Sequence, residues 1–444
     1  MALDKVKIAL LGCGTVGTQV ARLLTKQSEI LAFRAGIPLE LVGIAVNNLD
    51  APRDQAINRE LLTTDAQGLI DSADLVIELI GGIELPRKLV LQALTSGKSV
   101  VTGNKALLAT HGPELYEAAA QNQVDLYYEA AVAGAVPVVY GLRESLAGDT
   151  VTEISGIMNG TTNFILNEMT TKGMEFAQAL KLAQDLGYAE ADPTADVDGF
   201  DAAAKIAILA SIAFHARVLL SDVDVSGIRE ISAHDIAQAD AAGYVIKLIA
   251  RARRYTLNED GIDGVEVSVA PTMVPKKNPL ASVDGAFNSV LVEAKAADRL
   301  MFYGRGAGGA PTASAVLSDV VAAAAKRAFG GHAPGELVFG ETKILSAAET
   351  RSSYYLRLKV VDELGVLAKI TEVFAKNHVS ISAVQQVNAR DITAVTTVET
   401  EATTSVLNVI THVAQAKDLN NTVTELKRLP EVLEVAKVLK VEGE

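Results

Sequence analysis

Short apolar runs alternate with helical segments over the N-terminal part of the chain. The apolar runs lie at 6–11, 39–47, 73–82 and 98–103, and helical character is present at 18–27 and 87–97. Such alternation is typical of a parallel sheet with crossover helices. The pattern therefore predicts an α/β protein whose first domain, residues 1–130, is a Rossmann-type parallel sheet.

The pattern becomes less regular after residue 130. Residues 155–169 begin with strand character and continue as a helix, and further helical runs follow. Residues 301–329 combine a glycine loop around Gly304 and a long alanine-rich helix, for which the loop could be a simple lead-in. We expect an α+β catalytic and dimerisation domain at 131–310. A helix that returns to the first domain, together with a linker, should occupy 311–350.

The alternation changes again in the last part of the chain. Strand-like runs cover 354–362, 379–386, 393–399 and 432–440, with helices predicted at 363–378 and 405–417. The order βαββαβ predicts a ferredoxin-like module over residues 351–441. Its motif Asp362-x-x-Gly365-Val366-Leu367 resembles the ACT domain, a regulatory module that commonly binds amino acids between paired copies. The alternative is a purely structural dimerisation module.

The chain is acidic, with a formal net charge of −14 over 444 residues. This charge argues against nucleic acid or an anionic membrane as the main partner. The single cysteine, Cys13, excludes an internal disulfide framework and fits a reducing cytoplasm. The first residues do not resemble a signal peptide, and no apolar run reaches the roughly 18 residues of a membrane span. We therefore expect a soluble cytoplasmic protein.

A glycine-rich loop follows the first apolar run. Gly12, Gly14 and Gly17 form a G-x-G-x-x-G pattern between a predicted strand and a predicted helix. In this context the first glycine permits a tight turn, the second lets the backbone approach a pyrophosphate, and the third allows close packing of helix and strand. Thr15 and Val16, at the helix start, would offer backbone amides to the phosphates. The loop predicts dinucleotide binding.

Two strand ends should contact the ligands. The residue that reads the adenosine ribose should stand at the end of the second strand, where the chain has Asn47 rather than an acid or an arginine. Arg53 is the nearest cation, so the preference between NAD and NADP stays open. Lys105 follows the fourth strand, at the edge where substrate or the cofactor carboxamide would lie. The alternative is a surface lysine that begins the next helix.

An acidic segment runs from Gly187 to Lys205, with five carboxylates and one cation. Asp198 is predicted to cap the helix that follows, and Asp201 lies in its first turn. Asp201 and Lys205 are four residues apart and therefore share one helix face. The simplest alternative is a capped helix with a surface ion pair worth a few tenths of a kcal/mol.

Glu129 stands within the apolar run 124–139, where an unpaired carboxylate would cost several kcal/mol. The carbonyls of Val132, Gly134 and Val136 could join it around a hard cation. An ion pair or buried hydrogen bonds would satisfy the carboxylate equally well.

Further along the chain, the turn at 159–163 precedes a helical run, and backbone amides at such a helix start suit a carboxylate group. Plain capping by Thr or Asn explains part of that turn.

Several motifs occur in one order along the chain: the dinucleotide fold, TGNKALLA, YEAAVAGAVPVV, SGIMNGTTNFIL and the acidic segment. The acidic segment fits A-x3-G-Y-A-x2-D-P-x2-D-V-x-G-x-D-x3-K from Ala183 onward. Together they closely resemble homoserine dehydrogenase of the type that carries a C-terminal ACT domain. The resemblance implies reversible NAD(P)H-dependent reduction of aspartate 4-semialdehyde to L-homoserine, in the biosynthesis of threonine, methionine and isoleucine. The motif that starts at Asp362 motivates the hypothesis that threonine binds the ACT module and inhibits, and the ACT module suggests at least a dimer, a homodimer or a homotetramer.

The resemblance also implies roles for individual residues. Lys105 and Lys205 match the catalytic lysines, with Lys205 the proton donor. Glu190 and Asp201 match the residues that hold the amino and hydroxyl ends of the substrate. Further matches are substrate neighbours, cofactor contacts and the family's structural sodium site: Asp196, Tyr188, Gly160 and Thr161; Gly187 and Gly304; and Glu129 with Val132, Gly134 and Val136. Many members carry an arginine where Asn47 stands, so no preference for NADP is implied.

Elementary chemistry agrees with these roles. Hydride delivery to an aldehyde develops an alkoxide, which a nearby ammonium stabilises and protonates. An oxidising semialdehyde dehydrogenase would need a cysteine nucleophile, and Cys13 lies inside the glycine loop. A zinc alcohol dehydrogenase would need Cys and His ligands, which the six scattered histidines do not supply. A non-enzymatic amino-acid sensor on a degenerate scaffold is disfavoured because Lys105, Glu190, Asp201 and Lys205 are all present.

Overall fold

The computed structural model describes residues 4–256, 263–336, 342–388 and 404–443. These residues form a six-stranded sheet and a twelve-stranded sheet, with helices packed on both. Among the helices of the described ranges, none combines the length and the apolar character that crossing a bilayer would require. The fold class is α/β, as the sequence predicts.

The first sheet is parallel and has the strand order β3-β2-β1-β4-β5-β6. Its strands are β1 (Val6–Leu11), β2 (Leu39–Ala45), β3 (Leu62–Thr63), β4 (Leu75–Glu78), β5 (Ser99–Thr102) and β6 (Leu126–Tyr127). Its helices are α1 (Thr15–Lys26), α2 (Ser28–Ala35), α3 (Ala66–Asp71), α4 (Glu84–Thr95) and α5 (Lys105–Gln121). Five of the six residues of β1 are buried, because helices cover both faces of a parallel sheet. The Rossmann-type sheet is confirmed.

The middle of the chain builds half of the strands of the second sheet, together with covering helices. The strands are β7 (Val151–Ile157), β8 (Asp224–Val225), β9 (Tyr244–Thr256), β10 (Asp263–Pro275), β11 (Phe287–Ala294) and β12 (Asp298–Arg305). The helices are α6 (Val138–Tyr140), α7 (Gly160–Lys172), α8 (Phe176–Asp185), α9 (Thr194–Val197), α10 (Phe200–Phe214) and α11 (Ala233–Ala241). Helix α10 packs on β9 and β10, and most of its side chains are buried.

A long helix links this region back to the first sheet. Helix α12 (Gly309–Phe329) packs along α1, and its Val316 and Val320 belong to the same apolar core as Ile8 and Leu10 of β1. The short strand β13 (Thr342–Ile344) then pairs with β10. The alanine-rich segment thus closes the first domain from outside its own stretch of sequence.

The C-terminal residues form the ferredoxin-like module. Its elements are β14 (Arg351–Val361), α13 (Val366–Lys376), β15 (Ile381–Asn388), β16 (Thr404–Thr411), β17 (Ala414–Gln415), α14 (Ala416–Leu426) and β18 (Val432–Val441). Strand β18 pairs antiparallel with β14 and also parallel with β10, through Thr272 opposite Lys440. The sheet of this module is therefore continuous with the sheet of the preceding domain.

The predicted helix at 405–417 is wrong. That stretch forms β16, and the helix begins only at Ala416. Between Ser405 and Thr411 every second side chain is buried, and its Val, Ile and Thr residues favour the pleated surface of a strand. The predicted strand at 393–399 lies outside the described residues.

Candidate active site

The glycine loop has the geometry that a pyrophosphate requires. Gly12 has φ +100°, and a Cβ atom on it would lie 2.5 Å from the carbonyl oxygen of Leu79. A Cβ on Gly17 would lie 2.2 Å from the carbonyl oxygen of Gly12, so close packing excludes any side chain there. A Cβ on Gly14 would meet nothing within 4 Å. The loop therefore leaves open space at Gly14, directly before the first turn of α1 at Thr15.

A cation stands beside this loop that sequence spacing did not locate. Arg53 donates from Nη1 to the carbonyl oxygen of Cys13 at 3.1 Å and from Nη2 to that of Asn48 at 2.9 Å. The segment after β2 folds back so that the Arg53 guanidinium bridges Cys13 of the glycine loop and Asn48 beyond the end of β2. Arg53 follows Asn47 by six residues, and this spacing alone does not indicate that the chain folds back to the glycine loop.

Two lysines from different domains meet at Asp201. Lys205 donates from Nζ to Asp201 Oδ2 at 2.7 Å and to the carbonyl oxygen of Met158 at 2.7 Å. Lys105 Nζ, on α5 of the first domain, lies 2.9 Å from Asp201 Oδ1. The side chains of Asp201 and Lys205 are 7% and 9% exposed, whereas that of Lys105 is 44% exposed. The alternative of a surface ion pair is therefore wrong for Asp201 and Lys205.

The electrostatics of this cluster favour the charged forms of Asp201 and Lys105. Burial by itself raises the pKa of Asp201, but the positive charges of Lys205 and Lys105 outweigh it and hold the pKa well below the usual range. The negative charge of Asp201 is the main reason that the pKa of Lys105 is raised. Burial raises the pKa of the neighbouring Asp196. The centre of the cluster is thus the Asp201 carboxylate, which contacts the Nζ atoms of both lysines.

Asn159 connects the acids of the cluster, and the sequence did not single it out. Its Nδ2 donates to Asp196 Oδ1 at 2.6 Å and to Asp201 Oδ2 at 2.9 Å, while its Oδ1 accepts from the amide of Thr162 at 2.8 Å. Asn159 thereby caps α7 and fixes both carboxylates. The signal for it was the Asn-Gly-Thr turn before a helix. Asn288, which donates to the carbonyl oxygen of Met158 at 3.0 Å, had no sequence signal.

The other predicted substrate neighbours surround this cluster. Thr161 donates through Oγ1 to the carbonyl oxygen of Tyr188 at 2.7 Å, which ties the acidic segment to the start of α7. Gly160 is the first residue of α7, and a Cβ there would lie 2.8 Å from the carbonyl oxygen of Ala286. Glu190 is exposed, and its negative charge adds to the raised pKa of Lys105.

The predicted cofactor contacts beyond the first loop lie in open or tightly curved backbone. Gly187 has φ +76°, and a Cβ there would meet nothing within 4 Å. Gly304 lies on β12, where a Cβ would be 3.2 Å from Cγ2 of Val136. A Cβ on Gly309, at the start of α12, would be 3.1 Å from the carbonyl oxygen of Thr15. The loop after β12 therefore returns to the glycine loop.

The predicted N-cap at Asp198 is wrong. The residue before α10 is Gly199 with φ +89°, and no side-chain hydrogen bond caps the helix. Asp198 instead forms an ion pair with Arg229, with Nε and Oδ1 2.5 Å apart. Because Gly199 takes the left-handed conformation, the chain turns before α10 starts and the Asp198 carboxylate lies outside the helix end.

Glu129 is buried and hydrogen-bonded by backbone amides. Its carboxylate accepts from the amides of Val139 at 3.0 Å and Tyr140 at 2.7 Å, and its own amide donates to Asp319 at 2.9 Å. Burial raises its pKa to about 7. Within the described residues, no group of three or more His, Cys, Asp or Glu side chains is arranged to hold a metal ion. The predicted sodium site would use one carboxylate, Glu129, and the main-chain carbonyls of residues 132–136, so the clustering of side chains does not test it.

The ACT motif forms the turn between β14 and α13. Gly365 has φ +88° and precedes α13, Val366 is buried, and Leu367 is 43% exposed. Gln386 on β15 donates to Asp362 Oδ1 at 3.2 Å. The motif therefore places a glycine turn and a helix start at one end of the module's sheet.

Comparison with known proteins identifies the family. The model described as "Homoserine dehydrogenase, NAD binding domain" matches residues 12–129, "Homoserine dehydrogenase" matches 137–321, and "ACT domain" matches 354–431. A homoserine dehydrogenase from Corynebacterium glutamicum is 51% identical over 439 residues, which cover 98% of this chain and 96% of that protein. The chain belongs to the homoserine dehydrogenase family. A homoserine dehydrogenase from Bacillus subtilis is 39% identical over 446 residues, which cover 99% of this chain and 99% of that protein.

Solved homoserine dehydrogenase structures share the fold. The enzyme from Thiobacillus denitrificans has a TM-score of 0.90 at 38% identity, covering 99% of both chains. That from Staphylococcus aureus at pH 7.5 has a TM-score of 0.76 at 32% identity, again covering 99% of both. Membership in the homoserine dehydrogenase family makes this chain an NAD(P)-dependent oxidoreductase with a C-terminal ACT domain.

Proposed function

We propose that the chain reversibly reduces L-aspartate 4-semialdehyde to L-homoserine, with Lys205 as the proton donor. The observation that carries this assignment is the buried Lys205 ammonium, which is held by Asp201 and the Met158 carbonyl where the two domains meet. An ammonium has three N–H donors, and these contacts engage two of them. The third is proposed to donate to the alkoxide that develops on the substrate.

The residues present fit a dinucleotide, with the glycine loop for its pyrophosphate and open space at Gly14. When bound, NAD(P)H supplies the hydride to the aldehyde carbon. Lys205 transfers a proton from Nζ to the new alkoxide oxygen during reduction and accepts the hydroxyl proton, in its neutral form, in the reverse direction. Asp201 positions Lys205 through their 2.7 Å contact.

The charges around the cluster suit an amino-acid substrate. We propose that Glu190 and Asp201 hold the amino and hydroxyl ends, with Asp196 beside them, because an acidic segment suits an ammonium group. Lys105 and the amides at the start of α7 suit the substrate carboxylate. This division of charge between two sides of one site supports an α-amino acid rather than a simple aldehyde.

Arg53 is proposed to bind the 2′-phosphate of NADP by donating hydrogen bonds from its guanidinium. Replacing Arg53 with alanine should raise KM for NADP by roughly 10-fold or more, because a charged hydrogen bond to a phosphate contributes about 1.5–3 kcal/mol. KM for NAD should change much less. The measurement is steady-state oxidation of homoserine with each dinucleotide, followed through the absorbance of the reduced nicotinamide.

Arg59 offers a matched control for this experiment. It donates from Nη2 to the carbonyl oxygen of Leu49 at 2.8 Å, on the same connection after β2. Its alanine variant should leave both KM values near wild type. Equal increases in KM for NAD and NADP in the Arg53 variant would contradict the role in phosphate recognition. If the protein oxidised homoserine neither with NAD nor with NADP, the proposed activity would be contradicted.

We propose that the residues at 129–136 hold a structural sodium ion. One buried carboxylate combined with backbone carbonyls is the donor set of a hard cation, so Glu129 with Val132, Gly134 and Val136 fits this group. Consecutive left-handed conformations at Ala133 and Gly134 curl the backbone at this point, which supports a site built from main-chain atoms.

We place the enzyme in the cytoplasm, in the biosynthesis of threonine, methionine and isoleucine, as a homodimer or homotetramer.

Threonine is proposed to bind the ACT domain near Asp362 and Gly365 and to inhibit the enzyme. The support is the glycine turn that opens α13, where backbone amides are available to an amino-acid carboxylate. Millimolar threonine should lower the rate of homoserine oxidation and give a binding heat in calorimetry. A Gly365→Val variant, in which a β-branched residue would have to adopt φ near +88°, should lose both responses. Unchanged activity without a binding heat in the parent protein would contradict the proposal.

A further inference from the structure

The one-turn helix α9 carries a substrate acid and has little to hold it within its own sequence. It spans four residues, Thr194–Val197, and includes Asp196. Only Asp198 and Gly199 separate it from α10, which carries Asp201. Since Asn159 bonds to Asp196 and Asp201 together, the two carboxylates keep their spacing only while α9 keeps its place relative to α10.

A second segment packs directly on this connection. The amide of Ile228 donates to the carbonyl oxygen of Val197 at 2.8 Å. A Cβ on Gly227 would lie 2.3 Å from that same carbonyl oxygen and 2.5 Å from Cα of Asp198, so the two backbones touch. Ser226 donates to the carbonyl oxygen of Val269 at 2.7 Å and thereby fixes the segment to β10. Residues 226–231, here named the bracing segment, thus join α9 to the sheet.

Arg229 of the bracing segment grips both ends of α9. Its Nε and Nη2 donate to the two carboxylate oxygens of Asp198, at 2.5 and 3.2 Å, and Nη2 also lies 3.3 Å from Oγ1 of Thr194. Thr194 begins α9 and Asp198 follows its last residue. A planar guanidinium that binds a carboxylate through two donors fixes direction as well as distance. Because both side chains are partly exposed, the contact contributes little to stability and mainly sets geometry.

The ACT domain holds the bracing segment from its other side. Lys437 on β18 donates from Nζ to the carbonyl oxygen of Glu230 at 2.6 Å, one residue after Arg229. Lys437 also lies 3.7 Å from Asp235 of α11, which pairs with Arg357 of β14 at 2.8 Å. The segment that touches α9 is therefore also a docking point for the regulatory domain.

We propose that Arg229 is a positioning residue for substrate binding. Through Asp198 and Thr194 it holds the α9 turn, so that Asp196 stays beside Asp201 and both face one substrate. Asp198 stands at a variable position of the signature in the acidic segment, so the motif itself does not assign this role. The inference rests on the proposed substrate site, and it adds a residue that lies outside the acidic segment and contacts no reacting atom.

The test compares the kinetics of three variants. Arg229→Ala should raise KM for homoserine about 10-fold, since small displacements of positioning groups have effects of this order, while KM for the dinucleotide and the thermal midpoint stay near wild type. Arg229→Lys should restore part of the loss, because a lysine keeps the charge without the two-donor geometry. The exchange variant D198R/R229D should recover much of the affinity, because it restores the ion pair in reverse order.

Two reference variants make the outcomes decisive. Arg299→Ala removes an ion pair of similar exposure, with Glu293 on β11, and should leave KM unchanged. Asp196→Asn should raise KM for homoserine; if it does while Arg229→Ala does not, the role of Arg229 is refuted alone. If neither variant changes KM, the substrate assignment fails as well. An equal loss in kcat and in both affinities, together with a lower thermal midpoint, would mean that Arg229 serves folding only and would overturn the inference.

The contact with the ACT domain has its own variant. Lys437→Met removes the donor to Glu230 but keeps the aliphatic stem, and it should raise KM for homoserine by a smaller factor than Arg229→Ala does. An unchanged KM in this variant would remove the ACT domain from the proposal, because the bracing segment would then hold α9 without help from β18.

Discussion

Replacing Lys205 with alanine should lower kcat for aspartate semialdehyde reduction by about 10²–10⁴-fold, the usual contribution of a positioned general acid. The reason is that Lys205 is the buried ammonium whose contacts to Asp201 and Met158 direct it into the interdomain site. Dinucleotide affinity should stay near wild type, since the glycine loop lies on another domain. Stopped-flow or steady-state reduction assays, together with fluorescence titration of NADPH, measure the two quantities.

Two further lysine variants separate chemistry from folding. Lys205→Met keeps most of the buried stem and should lose kcat to a similar degree without a large fall in the thermal midpoint. Lys181, which pairs with Asp185 on the exposed face of α8, is the matched control, and its alanine variant should retain full activity. Near-normal turnover by either Lys205 variant would refute the assignment of Lys205 as the proton donor.

Gly17→Ala should destabilise the first domain by about 2–4 kcal/mol and prevent saturation with NADPH, which are large effects for one methyl group. The added Cβ would lie 2.2 Å from the carbonyl oxygen of Gly12, a contact that only a backbone shift can relieve. That shift would separate α1 from β1 and disturb the amides that face the phosphates. Thermal or urea unfolding with and without NADPH measures both effects.

Gly14→Ala is the matched comparison within the same loop. Its Cβ would meet no protein atom within 4 Å, so the free energy of unfolding should change little. Dinucleotide binding should nevertheless weaken, because the methyl group would occupy the space through which the backbone approaches the pyrophosphate. Equal stability of the Gly14 and Gly17 variants would contradict the packing argument, and normal NADPH affinity in both would contradict the position of the phosphate site.

The accuracy of the sequence predictions followed the range of the interactions involved. The strands β1, β2, β4 and β5 could be predicted because short continuous apolar runs that alternate with helices are typical of buried parallel strands. The stretch 405–417 was mistaken for a helix because its polar and apolar residues also fit a helical face over a short window. Pairing of β16 with β14 and β15 decided in favour of a strand, and the paired residues are between 17 positions apart (Asn388 and Ser405) and 55 positions apart (Tyr355 and Ile410).

The active site shows the same division. Spacing of four residues placed Asp201 and Lys205 on one face of α10, and the structure places their charged groups 2.7 Å apart. Their burial was not accessible from spacing, because it depends on the sheet below α10 and on the first domain beside it. The cap assigned to Asp198 failed for a related reason, since a distant partner, Arg229, was available to its carboxylate.

The sequence by itself determined the order of the domains, the glycine loop, the acidic segment and the family to which they belong, because each depends on neighbouring residues or on a local motif. Tertiary structure alone decided that Lys105 would share Asp201 with Lys205, that Asn159 would bridge two acids, and that Arg53 would return to the glycine loop. These contacts join segments tens of residues apart. Their geometry follows from how helices and sheets pack, which local spacing does not encode.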